Sequence, residues 1–415
     1  MSATANHPPV FTSLTERPPS AVPHAASSRA GIPWYIWTGA AAVTCSSIGG
    51  AWDVSWHRSI GRDTFWTPAH MLVYLCGVLA GIIGLWLVYQ CTFGNDPELR
   101  ASSVSVFGLR APLGVFVAGW GGLAMLTSAP FDNWWHNAYG LDVKIVSPPH
   151  TLLIFGVRAV AVGMLFLILA ALNRAGAPGL DSQTWVPEES STSFKTLQFL
   201  FLYLAGLIVA GQMFFIMEYT WDIMLHGASA YIAMGIAVPV LFAMFWQSSR
   251  FRWAATATAA VYTLFAIAEI LILPLFPAQP KLGPVFFQVT HFVPAKFPIL
   301  LLVPAFALDL FWQRTRAWKF WHIALVSGIL FTAVLVAVEW PFAKFLMSHL
   351  SANRFFGTGY FQFTSRAAGP DRMRRFFEPD SGLVLYRGLL YATLFASIST
   401  WIGLYFGRWM RGVQR

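Results

Sequence analysis

Three side chains able to hold a metal ion, Asp53, His57 and His70, bracket one short turn between two apolar stretches. The turn reads Trp52-Asp53-Val54-Ser55-Trp56-His57, then Gly61-Arg62-Asp63-Thr64 and Thr67-Pro68-Ala69-His70. Asp53 and His57 are four residues apart, so on a helix they share a face. His70 follows Pro68, a residue favoured in the first turn of a helix, and Gly61 lets the chain reverse. Three donors from two adjacent helix ends can then converge. One carboxylate and two imidazoles suit copper, zinc or iron, and ligand type alone does not choose among them. Arg62, Asp63 and Thr64 are candidates to support the donors, because a ligating imidazole commonly gives its other N–H to a carboxylate or carbonyl. A metal-free arrangement is the alternative: Asp53 caps a helix and pairs with Arg58 or Arg62, and the histidines bond backbone.

The pattern occurs twice. Asp53, Trp56, His57, Gly61 and Asp63 recur as Asp132, Trp135, His136, Gly140 and Asp142 at a constant offset of 79 residues. His150, after Pro148-Pro149, answers His70 with a shift of one residue. Ionisable groups at the end of a membrane helix are costly and usually functional. The two turns therefore give two candidate metal sites, Asp53/His57/His70 and Asp132/His136/His150.

The elements that must carry these turns are membrane helices. The chain is 56% apolar, 16% aromatic and only 11% charged, where soluble domains carry about a quarter charged residues. Apolar runs exceed the roughly 20 residues that cross a bilayer. They predict an all-α, polytopic bundle of about ten spans, roughly 33–57, 68–93, 111–136, 149–172, 196–224, 229–248, 252–275, 288–312, 319–346 and 384–408. The bundle reads as repeated helical hairpins. Residues 1–32, rich in Pro, Ser, Ala and Thr, predict a disordered cytoplasmic tail. Residues 33–173 hold the duplicated hairpins, and 174–415 form the remaining bundle with a long outer loop at 347–383. Arg100, Arg110, Arg174, Lys195, Arg250, Arg252, Arg314, Arg316 and Lys319 crowd the loops on the side of the termini. By the positive-inside bias both termini are cytoplasmic, and the Asp/His turns face outward from a bacterial inner membrane. The net charge of +9 thus reports orientation, and no nucleic-acid partner is implied. Cys45, Cys76 and Cys91 lie in or beside apolar segments without CxxC spacing and read as small packed hydrophobes.

The first turn resembles the C subunit of particulate methane and ammonia monooxygenases. That subunit carries Asp-x3-His-x12-His with Arg-Asp-Thr and Thr-Pro-x-His inside it. Here these are Asp53-x3-His57-x12-His70, Arg62-Asp63-Thr64 and Thr67-Pro68-Ala69-His70. The resemblance implies copper binding by Asp53, His57 and His70 within a membrane oxidoreductase. It covers about twenty residues. The second copy, in which Leu141-Asp142-Val143 replaces the Arg-Asp-Thr, and the larger number of spans depart from that subunit.

Further ionisable groups are weaker candidates. Asp222, His226 and Glu218 echo the pattern, Glu269 could meet His291, and Arg158 in mid-span calls for an Asp or Glu partner. Three functions fit. The first is a copper-bearing, monooxygenase-like oxidoreductase subunit acting on a small apolar substrate from the lipid, its pocket walled by Trp52, Trp56, Phe65 and Trp66. The second is a copper carrier or assembly factor, for which Met213, Met217, Met224 and Met234 are candidate transit ligands. The third is a structural subunit that docks membrane or periplasmic partners without metal. No catalytic residue is assigned.

Overall fold

The computed structural model describes residues 32–61, 63–140, 147–175, 192–221, 224–249, 251–281, 289–351, 353–356 and 378–415. The expected tail, most of the loop at 347–383, Arg62, Asp142 and Asp222 lie outside them.

Long apolar stretches fold as helices because a helix satisfies its own backbone where water is absent. The first hairpin pairs α1 (Trp34–Ser59) with α2 (Pro68–Phe93). Trp34, at the start of α1, lies 5.2 Å from Trp86 near the end of α2, so the two are antiparallel along their length. A short helix, α3 (Pro97–Ala101), leads to a small antiparallel ribbon, β1 (Val104–Val106) and β2 (Leu109–Ala111). This ribbon was not expected from the sequence. Phe107 and Gly108 at its tip take φ of 51° and 83°, the twist that tight hairpins need.

The second hairpin joins α4 (Leu113–Tyr139) to α5 (Pro148–Ala175). Its helices touch backbone to backbone. A Cβ added to Gly121 would sit 2.6 Å from the Gly156 carbonyl oxygen, and one on Gly114 2.3 Å from that of Gly163. Small residues permit such approach in membrane bundles, where packing replaces the hydrophobic effect as the driving force. Then follow α6 (Thr192–Phe215), α7 (Ala228–Ala237), α8 (Pro239–Ser248), α9 (Ala254–Ile272), α10 (Leu302–Arg314), α11 (Phe320–Leu346) and α12 (Gly382–Met410). Pro239 breaks one apolar stretch into α7 and α8, since proline cannot donate to the preceding turn.

Among the described residues, eight helices are long and apolar enough to cross a membrane, not ten. Two of the expected spans differ for distinct reasons. The first, α1, has the length but mixes Ser, Thr and Gly with Asp53 and His57, which lowers its apolarity. The expected span 288–312 is not one helix. Pro294 and Pro298 interrupt it, and only Leu302–Arg314 is helical. Its extended part takes acceptors from neighbours: Ala295 N–H donates to Glu269 Oε1 at 3.0 Å, Ile299 N–H to the Tyr262 hydroxyl at 3.0 Å, and Leu300 N–H to Glu339 Oε2 at 2.9 Å. Irregular backbone inside a bundle survives only when such partners are present. Near the other end of this segment, fully buried Asp309 accepts from the Thr256 N–H and hydroxyl at 2.7 Å each, capping α9.

Candidate metal centres

The end of α1 sets the first centre. Ile60 and Gly61 N–H groups both bond the Trp56 carbonyl, and Gly61 takes φ of 97°, turning the chain back on itself. Positive φ costs an L residue roughly 1–2 kcal/mol, so glycine suits the position. The turn then meets α2, where the Thr67 hydroxyl accepts the Thr64 N–H at 2.8 Å and Pro68 starts the helix.

Four side chains converge there. His70 Nε2 stands 3.1 Å from Asp53 Oδ1 and 3.0 Å from Asp63 Oδ2. His57 Nε2 lies 3.8 Å from Asp53 Oδ2 and 3.5 Å from Asp63 Oδ2. The expected trio is thus joined by Asp63, which the sequence marked only as a supporting residue. Asp53, His57 and Asp63 each offer a donor atom within 4.8 Å of the other two. His70 Nδ1 lies 3.0 Å from the Thr64 carbonyl oxygen. A carbonyl beside Nδ1 requires a proton on that nitrogen, which directs Nε2 towards the carboxylates, the arrangement usual for a ligating imidazole. Burial alone would raise the Asp63 carboxyl, but the imidazoles of His57 and His70 beside it hold it well below the usual carboxylate range.

At the second centre the Gly140 N–H bonds the His136 carbonyl and Gly140 takes φ of 86°. The Ser147 hydroxyl accepts the His150 N–H at 3.3 Å as α5 begins. His136 Nε2 is 3.3 Å from Asp132 Oδ2, and His150 Nε2 is 3.5 Å from Asp132 Oδ1. These three residues also bring their donors within 4.8 Å of one another.

The donor sets fit a small cation. Asp53 Oδ1 and Asp132 Oδ1 are both buried without a hydrogen-bond partner among the described residues. Asp53 Oδ1 lies 3.1 Å from His70 Nε2 and Asp132 Oδ1 3.5 Å from His150 Nε2. An orphaned carboxylate oxygen in a buried site costs on the order of 1–3 kcal/mol unless something positive satisfies it. Of the two arginines named in the metal-free alternative, Arg58 donates to the Pro294 carbonyl at 2.6 Å and lies 5.0 Å over the Trp221 ring, and Arg62 lies outside the described residues.

Several expectations change. Trp52 and Trp56 turn away from the centre onto Phe292, at 6.4 and 5.8 Å between rings, and do not wall it. Phe65 packs on Trp66 and on Tyr74. Tyr74 was missed by sequence reading: its ring lies 6.1 Å from that of His70, within electrostatic reach of Asp132, Asp63 and Asp53. Only its position one turn after His70 could have flagged it. His226 Nε2 meets the Trp340 carbonyl at 3.1 Å, Glu269 binds the Ala295 N–H, and His291 meets Thr290. Arg158 finds a backbone partner, the Ile208 carbonyl at 2.8 Å, and the face of Phe215 at 5.1 Å, in place of the expected carboxylate. Met213, Met217 and Met234 are core residues. Comparison of the chain with protein-family models, with curated proteins and with solved structures finds no match in any of the three.

Proposed function

We propose that this protein is a copper-binding membrane subunit of a monooxygenase-like oxidoreductase. Asp53, His57, Asp63 and His70 hold one ion, and Asp132, His136 and His150 hold another. The observation that carries this reading is the pair of buried oxygens without a hydrogen-bond partner among the described residues, Asp53 Oδ1 and Asp132 Oδ1, each beside one imidazole nitrogen. Copper is preferred over zinc or iron because the Asp-x3-His-x12-His motif resembles a copper-binding subunit. The two turns descend from one duplicated hairpin. Bound copper would supply one-electron chemistry with dioxygen, which the side chains themselves lack. The chain's own residues fix the site: Thr64 orients His70, and the Gly61 turn brings Asp63 to both imidazoles. The membrane is the bacterial inner membrane, with both termini cytoplasmic, the turns outward, and a small apolar substrate arriving from lipid. Further membrane or periplasmic subunits complete the system.

The carrier alternative draws less support, because three of the four methionines that would line a transit path, Met213, Met217 and Met234, are packed into the core. Elemental mass spectrometry of the detergent-purified chain tests the reading. About two copper ions per chain are expected, falling by one in His57→Ala and by one in His136→Ala. An intact protein with no stoichiometric metal overturns it.

A further inference from the structure

The two centres share a donor pattern but not its backing. Behind the first, the end of α1 is tied to the extended segment. The Ser55 hydroxyl donates to the Val293 carbonyl at 2.7 Å, and the Val293 N–H donates to the Ser59 hydroxyl at 2.7 Å. Arg58 holds the next carbonyl, that of Pro294, at 2.6 Å. The Lys281 N–H donates to the Ile60 carbonyl at 3.1 Å, and Ile60 packs with Ala278 and Phe292. One face of this helix end carries Asp53 and His57, while the other is bolted to the bundle.

At the second centre the same positions read Trp134, Asn137, Ala138 and Tyr139, and all four are exposed. Trp134 is 53% and Tyr139 68% exposed. Ala138 cannot replace the hydroxyl of Ser59. Pro130, two residues before Asp132, removes a rung of the helical ladder just beneath the donors.

Ion release requires donors to swing away, and a helix end braced against the bundle resists that movement. Outer supports of metal ligands typically change affinity by about 10–100-fold. We infer that the two centres have divided roles: Asp53/His57/Asp63/His70 retains its copper, and Asp132/His136/His150 exchanges copper with the surroundings. The inference rests on the copper reading above.

The test uses the full chain in detergent, loaded with copper(II) and challenged with excess EDTA while bound copper is followed. Release in two phases at least about tenfold apart is expected. His136→Ala removes the fast phase and His57→Ala the slow one. Arg58→Gln and Ser59→Ala speed the slow phase about tenfold towards the fast one. The unchanged fast phase then shows that the fold is intact, and Arg58→Lys restores much of the delay. A single rate for both ions, or a slow phase that disappears in His136→Ala, overturns the division of roles while leaving copper binding standing. A wild-type chain that takes up no stoichiometric copper overturns both.

Discussion

Asp63 shows how a loop residue becomes a candidate donor. It follows the Gly61 turn and arrives between His57 and His70, 3.5 and 3.0 Å from their Nε2 atoms. With its carboxyl held below the ordinary range by those imidazoles, it remains an anion throughout the neutral region. Asp63→Asn therefore removes a charge from the first centre and keeps the shape. Copper affinity there should fall at least about tenfold, with the second ion unaffected, as titration with a competing chelator would show. Equal weakening of both ions would deny Asp63 a role as donor. The sequence made Asp53 and His57 legible through helical spacing and His70 through the proline before it. Asp63 was legible only as a neighbour, because its placement depends on the left-handed turn at Gly61 and on how α1 and α2 meet. Tyr74 was invisible for a similar reason: its relation to Asp132 exists only across two packed helices.

Helices were the most legible elements, since long apolar runs leave the backbone no other solution in lipid. The break at 289–301 was not, because hydropathy registers side chains and is blind to backbone hydrogen bonds. Glu269, named in the sequence as a possible partner of His291, acts with Glu339 as an acceptor for that backbone. Glu339→Leu should destabilise the bundle by about 1–3 kcal/mol by stranding the Leu300 N–H, while Glu339→Gln, which keeps an acceptor, should cost less. Thermal unfolding in detergent distinguishes them, and equal effects would remove the acceptor role. The tight α4–α5 pair offers a second check. Gly121→Leu puts a side chain where a Cβ alone would lie 2.6 Å from the Gly156 carbonyl oxygen. It should cost on the order of 1–3 kcal/mol and release the second ion before the first. Retention of both ions at wild-type stability would contradict the packing.

For the molecule as a whole, the proposed orientation places both turns on the outer face. Single cysteines in a chain whose three native cysteines are replaced by alanine can read this. Thr64→Cys, on an exposed turn, should react with a membrane-impermeant thiol reagent in intact cells, and Asn95→Cys only after permeabilisation. The reverse pattern would invert the topology. The two N-terminal hairpins at 33–173 and the remainder at 174–415 are joined by hydrogen bonds at both ends of the bundle. At one end Ser55, Arg58 and Ser59 hold Val293 and Pro294; at the other, Asn173 donates to the Met410 and Val413 carbonyls at 3.1 and 2.8 Å.

That first tie carries a thermodynamic message across the chain. The Val293 amide can exchange its hydrogen with solvent only when its bond to Ser59 opens. A ligand that binds the closed state and not the open one lowers the population of openings in proportion to its saturation. Copper held by Asp53 and His57 should therefore slow deuterium uptake at Val293, some 240 residues away in sequence, and an ion at Asp132 should leave it unchanged. The amide becomes a remote gauge of which centre is filled.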